Sequence, residues 1–592
     1  MDRKTISILA VSILVIALWQ PLVNRILPPK IVLRTNTVAT ATSPSGGTNG
    51  SATSTSVTDV PASAHAAPFN ADIPEQTLSL TNEDAIYTFT SHGGGLKLVQ
   101  LRHYPAATLC GAEKNVSTNF FATLNADATT AAMTLLGGET LQGDGAFQLT
   151  QIDNGVRVEK SLTNGLTIVK EFVLGTNYLI SAKTRIENRS QGNILLPPQE
   201  WVVGTATPMS TRDKPDSVGF YFYNGDKAKE MQVGWFRSAG MMGCGSPTYK
   251  DLYEENQKIV WADVHNQFFT LATIPKDPAD KIVSRPIDLP NARDIIASGG
   301  GGVTNGLQTS IIYPHTNLLA GQVIEKQFTI YAGPKEYNTL AKIAADMKNE
   351  LDKLMGFGWA GFVAKLLLLS MNGLHALFGG ALSYGWIIIL ITVLIKLLFW
   401  PLTNASTKSM KRMQAFQPQI KELQAKYKDD PTKLSRKQME FFKEHKINPM
   451  GGCLPMLVQI PVFIGFYTMI RSAIELRGVH FLWACDLSQA DTVGHIGNFP
   501  INILPIIYGI TLLYQARIAP VSPTVDPAQQ QMMKYMPLMF LFILYNMSAG
   551  LTLYWTVQNS LTILQMKLTK ATDDTGPGGK TQVQIIPPKK KR

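Results

Sequence analysis

Ile387-Ile388-Ile389-Leu390-Ile391-Thr392-Val393-Leu394-Ile395-Lys396-Leu397-Leu398-Phe399-Trp400 is a run of 14 residues that holds a single charge. With its flanks, residues 379–403 reach the length of about 20 residues that a helix needs to cross a bilayer. At bilayer depth a lysine costs a few kcal/mol, so Lys396 needs a reason to be there. One reason is snorkelling, because the residue stands toward one end of the segment, within about 10 Å of it at 1.5 Å per residue. Two observations favour another. Thr392, Lys396 and Thr403 recur at helical spacing on one polar face, and none of the other apolar segments contains an Asp or Glu. A cation without a fixed anionic partner must be solvated by water, which predicts a hydrophilic cavity that attracts passing carboxylates.

Further apolar segments follow at 453–474, 500–517, 532–548 and 550–568, the last two joined by a Met547-Ser548-Ala549-Gly550 turn. Each carries polar residues at helical spacing: Gln459, Phe463 and Tyr467; Tyr508, Thr511 and Gln515; Thr552, Trp555, Asn559 and Thr562. Taken singly, such stripes serve interhelical hydrogen bonds. Together they suggest one shared groove lined by Thr392, Gln459, Thr511, Gln515 and Asn559 around Lys396.

Charge sets the orientation. Residues 404–450 carry eleven Lys and Arg, whereas 475–499 carry only Arg477 against Glu475, Asp486 and Asp491, and the chain ends Lys589-Lys590-Lys591-Arg592. The positive-inside rule puts 404–450 and the tail 569–592 in the cytoplasm and 475–499 outside. Within 404–450, Met413, Phe416, Ile420, Leu423 and Tyr427 form a seam at three- and four-residue spacing. Asp429-Asp430-Pro431 stops one helix and caps the next, so this stretch is a helical hairpin, with a kink expected at Pro418. It reads either as a solvated spacer or as a basic surface for ribosomal RNA or anionic lipid.

The chain has 592 residues, a net charge of +11, 45% hydrophobic and only 16% charged residues, which excludes a compact soluble enzyme. Met1-Asp2-Arg3-Lys4 precedes an apolar core, so 1–27 is expected to be an uncleaved signal anchor with its N-terminus inside. The Ala/Ser/Thr-rich stretch 28–68 cannot bury a core and reads as a flexible linker. From 69 to 335 the pattern is β. Residues 178–186 alternate strictly, 156–163 and 166–174 flank the hairpin signal Asn164-Gly165, and further strands are expected at 258–264 and 322–331. Residues 336–378 read as an amphipathic helix through Leu340, Ile343, Met347, Leu351 and Leu354, then a helix at 359–377 lying in the outer interface. The whole is an α-helical polytopic membrane protein of six spans, carrying a large exported all-β sandwich.

Catalytic signatures are missing: Gly299–Gly302 lacks a following G-K-[ST], and neither HExxH nor GxSxG occurs. His375, His480 and His495 have no metal-ligand spacing, and Cys110, Cys244, Cys453 and Cys485 form no CxxC pair. Neither a cofactor nor a metal is expected, and the chain is not read as an enzyme.

Asn448-Pro449-Met450-Gly451-Gly452-Cys453-Leu454-Pro455, followed by Leu457, Gln459 and Pro461-Val462-Phe463, resembles the YidC/Oxa/Alb family of membrane insertases. So do Pro401-Leu402-Thr403 and Gly550-Leu551-Thr552-Leu553-Tyr554-Trp555. The match covers about 355–568, and the anchor and β-domain are similar in architecture to the Gram-negative form. The resemblance implies a five-helix insertase core, a periplasmic β-supersandwich and an inner-membrane location. It implies an insertase and chaperone for nascent membrane proteins, alone or with the Sec translocon, and ribosome and targeting-factor contacts through the basic hairpin and tail. It also implies a groove open to cytoplasm and lipid. The groove's cation matches Lys396, where well-known members have Arg. A substrate-contacting slide matches Trp400, Ile460, Phe463, Tyr554 and Trp555. The competing reading is a secondary transporter or channel with a carbohydrate-binding exported domain, which needs a coupling-ion site and usually paired repeats.

Overall fold

In the computed structural model, the described residues are 69–569 without 71, 107–120, 210–214, 239–247, 290–302, 304, 428–429, 446–453, 498 and 519–526. The expected anchor 1–27, the linker 28–68, the motif from Asn448 to Cys453 and nearly all of the tail lie outside them.

The β-domain is built from antiparallel sheets of nine, five and four strands. In the nine-stranded sheet, Leu179–Asn188 lies between Leu166–Leu174 and Val323–Pro334, with Ile180, Ala182, Thr184 and Ile186 turned inward as their alternation predicts. The expected hairpin forms: Gly155–Ser161 pairs with Leu166–Leu174, and Gly165 takes a φ of 87° that the turn requires. The core lies between the sheets. Trp201 of the five-stranded sheet meets Phe328 of the nine-stranded sheet at 5.2 Å between ring centroids, and Phe89 of the four-stranded sheet meets Phe172 at 5.0 Å.

The strand expected at 258–264 is two strands. Tyr253–Ile259 joins the five-stranded sheet and Trp261–His265 the nine-stranded one, so the chain changes sheets at Val260, whose N–H bonds Tyr223 O at 2.8 Å. The apolar residues Ile259, Val260 and Trp261 run unbroken across the crossing, so the sequence carries no mark of a boundary there.

Ten helices of ten residues or more follow among the described residues: α1 Tyr337–Met347, α2 Gly361–Leu377, α3 Tyr384–Leu398, α4 Trp400–Ala415, α5 Gln417–Lys426, α6 Pro431–Glu444, α7 Leu454–Ser472, α8 Ile503–Ile518, α9 Pro527–Leu544 and α10 Ala549–Leu568. Several depart from the sequence expectation. The amphipathic helix ends at Met347, because Lys348 turns left-handed at φ 52°; Leu351 and Leu354 reach the core from a separate 3-10 turn. The segment expected at 379–403 is not one straight span: α3 and α4 meet at Phe399 with a bend of 62°. Pro401, lacking an N–H and clashing with the carbonyl four residues back, forces the helix to restart. The segment expected from residue 500 begins instead with a strand, Phe499–Asn502, paired to Thr492–Ile496.

By length and apolarity, one described helix is fit to cross a membrane, Gly358–Leu377, and a second if the bent pair counts as one. That first helix is the one the sequence placed in the interface. Helix α8 is apolar but, at 16 residues, shorter than a crossing helix needs to be.

The expected helical hairpin forms as α5 and α6. Met413, Ile420 and Phe442 are buried together with Phe416 and Phe441 packed beside them. Asp430 caps α6, its Oδ1 accepting from Lys433 N at 3.0 Å. Pro418 does not kink a continuous helix; the chain breaks at Phe416, and Pro418 sits in the first turn of α5, where its missing N–H costs nothing.

Candidate functional site: a cation between two helices

Lys396 lies twelve residues into α3, about 18 Å along the axis from its first turn. Its side chain crosses to α10, where Nζ donates to Thr562 Oγ1 at 2.9 Å, and Thr562 Oγ1 donates in turn to Gln558 O at 2.8 Å. Neither α2–α4 nor α7–α10 contains an Asp or Glu, and Lys396 makes no ion pair among the described residues. The acceptor is a neutral hydroxyl.

The Lys396 contact belongs to a longer seam. Gln565 Nε2 donates to Thr403 Oγ1 at 2.6 Å, Thr569 Oγ1 to Asn404 Oδ1 at 2.7 Å, and Lys411 Nζ to the carbonyls of Met566 and Thr569 at 3.0 and 2.6 Å. Thr562, Gln565 and Thr569 thus repeat along one face of α10 against α3 and α4. Lys411 also satisfies carbonyls that the end of α10 leaves open. Lys411, Asn404 and Gln565 were not singled out from sequence, although Asn559, Thr562 and Gln565 follow one another three residues apart, a signal that was readable.

The expected polar lining is only partly assembled. Asn559 Nδ2 donates to Thr511 Oγ1 at 2.9 Å, which joins α10 to α8. Gln459 Nε2 donates to Tyr554 OH at 3.1 Å, and Gln558 Nε2 reaches Gln459 Oε1 at 3.4 Å, which joins α10 to α7. Thr392 is fully buried with its hydroxyl bonded to Ile388 O at 2.6 Å on its own helix, so it does not line an opening. Gln515, half-buried on α8, makes no hydrogen bond among the described residues. The bend at Phe399 interrupts the helix between Lys396 and Thr403, yet both reach α10, at Thr562 and Gln565.

The slide residues divide in the same way. Trp555 is buried between Phe463 of α7, at 5.2 Å, and Tyr508 of α8, at 6.1 Å, and its Nε1 has no acceptor among the described residues. Tyr554 is 1% exposed and stacks on Phe466 at 3.9 Å. Ile460 and Phe463 stand open on α7, and Trp400 is half-buried just past the bend. Trp555 therefore backs the exposed Phe463, whereas Tyr554 is enclosed against Phe466.

Among the described residues Lys396 is enclosed rather than set in an open groove. The residue is 5% exposed. Two cavities of about 400 and 360 Å³ are lined by other residues, the first by Tyr337, Lys348 and Lys365, the second by Gln199, Asp277 and Tyr313 of the β-domain. Among the described residues, no group of His, Cys, Asp and Glu could hold a metal ion.

Helix α7 and the segment after it also touch the β-domain. Arg471 pairs with Asp216 at 3.0 Å, its backbone carbonyl accepts from Gln267 Nε2 at 3.1 Å, and Arg477 donates to Pro105 O at 2.7 Å.

Comparison with known proteins covers both parts of the chain. Residues 78–370 match the family described as the YidC periplasmic domain, and 374–575 match the 60Kd inner membrane protein family. A membrane protein insertase YidC of Geobacter metallireducens is 30% identical over 88% of this chain and 90% of its own length. One of Pelobacter propionicus is 30% identical over 84% and 88%. A relative of the same name from Syntrophus aciditrophicus is 39% identical over 52% of this chain. That match spans about half of the relative, 51%. Among solved structures, an active YidC insertase with its first transmembrane domain resolved aligns over 84% of this chain and 93% of its own, at 18% identity and a TM-score of 0.32. A putative aldose 1-epimerase from Escherichia coli aligns over 44% of this chain and 99% of its own, with a TM-score of 0.26.

Proposed function

This chain belongs to the YidC family of membrane protein insertases, and from that premise we propose that it inserts and folds nascent inner-membrane proteins, alone or beside the Sec translocon. The observation that carries the reading is Lys396, a cation among helices that hold no carboxylate, bonded only to the Thr562 hydroxyl among the described residues. A fixed ion pair would be spent. An unpaired ammonium is available to a carboxylate passing between α3 and α10.

In the proposed working state, α3 and α10 part, water enters, and the short polar flank of a nascent segment is held near Lys396. The apolar stretch then slides past Trp400, Ile460 and Phe463 into lipid, gaining about 25 cal/mol for each Å² removed from water. Membrane potential adds about 2.3 kcal/mol per charge per 100 mV for an acidic tail that crosses. These two terms need no nucleotide. A coupled transporter needs an ion site, and the acid-free helices offer none.

The proposed topology has six spans: the anchor, the bent α3–α4 pair, α7, α8, α9 and α10, the last five forming the core. The β-domain lies in the periplasm with the 475–499 loop on the same side of the membrane, and both termini and α5–α6 lie in the cytoplasm. The contacts of Arg471 and Arg477 with the β-domain support one side for the domain and the loop. The eleven Lys and Arg of 404–450 support the opposite side for the hairpin and suit a salt-dependent contact with ribosomal RNA.

The test is reconstitution of the full chain in vesicles with a single-span substrate bearing a short acidic tail. Protease protection of the tail that depends on this protein is expected. Equal protection in protein-free vesicles would overturn the assignment.

A further inference from the structure

Between α7 and α8 the chain forms a compact loop that is inside out. Its acids are hidden: Asp486 and Asp491 are 3% and 2% exposed. Asp491 Oδ2 accepts from Trp483 Nε1 at 2.9 Å and from Leu504 N at 2.6 Å, and Asp486 Oδ1 accepts from the N–H and hydroxyl of Ser488. Its hydrocarbon is displayed: Leu482, Val493, Ile496 and Phe499 are 66%, 47%, 73% and 58% exposed. A loop facing water arranges these two classes the other way round, since exposed apolar side chains lose the hydrophobic gain and buried carboxylates must be hydrogen-bonded.

The display is held rigidly. Thr492–Ile496 and Phe499–Asn502 pair as a hairpin, Asn502 Nδ2 donates to Tyr545 O at 2.7 Å, and Tyr545 OH donates to Pro500 O at 2.7 Å. The Phe499 ring lies 5.0 Å from that of Tyr545 at the end of α9. The apolar surface also continues without a break in sequence into α8, where Ile506, Ile510 and Leu513 are exposed. Trp386, half exposed in the first turn of α3, packs edge-on against Phe481 of the same loop at 5.3 Å. Residues 478–503 contain no Lys, Arg or Glu, so nothing there prefers anionic headgroups over zwitterionic ones.

We propose that this loop is a lipid-inserted wedge: Leu482, Val493, Ile496 and Phe499 lie among the acyl chains of the leaflet on the β-domain side, with Trp386 and Trp483 at the headgroup level. The occupant is lipid rather than protein because the loop carries no Lys, Arg or Glu with which to pair a partner and leads directly into α8, whose exposed Ile506, Ile510 and Leu513 are read as lipid-facing. Aromatic residues with one polar atom also favour that boundary. The wedge rests on the spanning topology proposed above, and its test separates the two.

The four cysteines are replaced by Ser in the full chain, and a fluorophore is attached at Ile496→Cys, at Val493→Cys or, as a reference, at Ile510→Cys in the middle of α8. Each protein is reconstituted in phosphatidylcholine vesicles with and without bromine on the acyl chains. Quenching at 496 and 493 comparable to that at 510, with no quenching by aqueous iodide, is expected. Quenching at 510 but not at 496 and 493 overturns the wedge and leaves the topology standing. Protection of 496 and 493 from both quenchers also overturns it, in favour of a second copy or another protein covering the loop. Absence of quenching at all three positions refutes the spanning of α8 itself. The Val493→Cys protein keeps the result readable if Ile496→Cys fails to fold.

Discussion

Replacing Lys396 by Ala should slow insertion of a substrate with an acidic translocated tail by roughly thirtyfold and leave a neutral-tailed substrate nearly unaffected. Geometry sets the size. In the parted, wet gap between α3 and α10 a carboxylate separated from Lys396 by water rather than in contact stands at about 8 Å. At an effective dielectric of about 20 the attraction is about 2 kcal/mol, and each 1.36 kcal/mol is a factor of ten. Lys396→Glu turns the same attraction into repulsion and should cost about 4 kcal/mol relative to the parent protein. Lys396→Arg should retain activity, because the charge is what acts at that distance and the guanidinium fork has no partner to grip. The assay compares protease protection of acidic and neutral tails, in vesicles carrying equal amounts of each variant. Equal rates for all variants on both substrates would refute the electrostatic role and leave Lys396 as an interfacial anchor.

Other outcomes follow from the packing. Gly465 of α7 faces α2 so closely that a Cβ would lie 2.6 Å from Val363 Cγ1; Gly465→Val should cost about 1–3 kcal/mol, read as a lower melting temperature in detergent. In the β-domain, Arg285 grips Glu200 at 2.6 and 3.3 Å with both side chains largely buried. Arg285→Ala should cost about 3–5 kcal/mol in chemical denaturation, and the double change to Met at 200 and 285 should recover most of it. Lys170 is fully buried, donating to the carbonyls of Gly93, Gly94 and Met133 at 2.8–3.0 Å, and burial pushes its pKa down to about 7. Unfolded, the group titrates near 10.4. From about pH 7 to 10 the unfolded chain therefore binds a proton that the folded one lacks, so this group makes stability rise with pH in that window and adds no slope below it. Lys170→Met should remove that rise, and denaturation midpoints at pH 7, 8 and 9 that climb equally in both proteins would exclude it.

Local patterns were legible in the sequence; connections between distant residues were not. The alternation of 179–188 and the turn at Asn164-Gly165 gave their strands correctly because both signals are local. Asp430 announced its cap for the same reason. The sheet change at Val260 was hidden, since hydrophobic alternation does not record which sheet a strand joins. The bend at Phe399 could have been read from Pro401, but the apolar run masked it. At the site, Lys396 stood out as a lone charge in hydrocarbon. Its partner Thr562 lies 166 positions away, and a threonine among many carries no mark of whom it will meet. Of the polar stripes, Gln459, Thr511, Asn559 and Thr562 do join helices, yet the stripes could not show that Thr392 turns back on its own helix or that Trp555 is enclosed by two other rings.

The single neutral acceptor of Lys396 has a kinetic meaning. A hydrogen bond to a charged group is worth about 1.5–3 kcal/mol, so if this contact alone held α3 to α10, the parted arrangement would be populated at about 0.6–8%, and the Gln565–Thr403 and Lys411 bonds of the same seam lower that further. Had an aspartate stood at 562, a buried ion pair of about 3–5 kcal/mol would have pushed that population well below one in a hundred. Threonine leaves the Lys396 part of the seam easier to break than an ion pair would, so parting α3 from α10 costs less there.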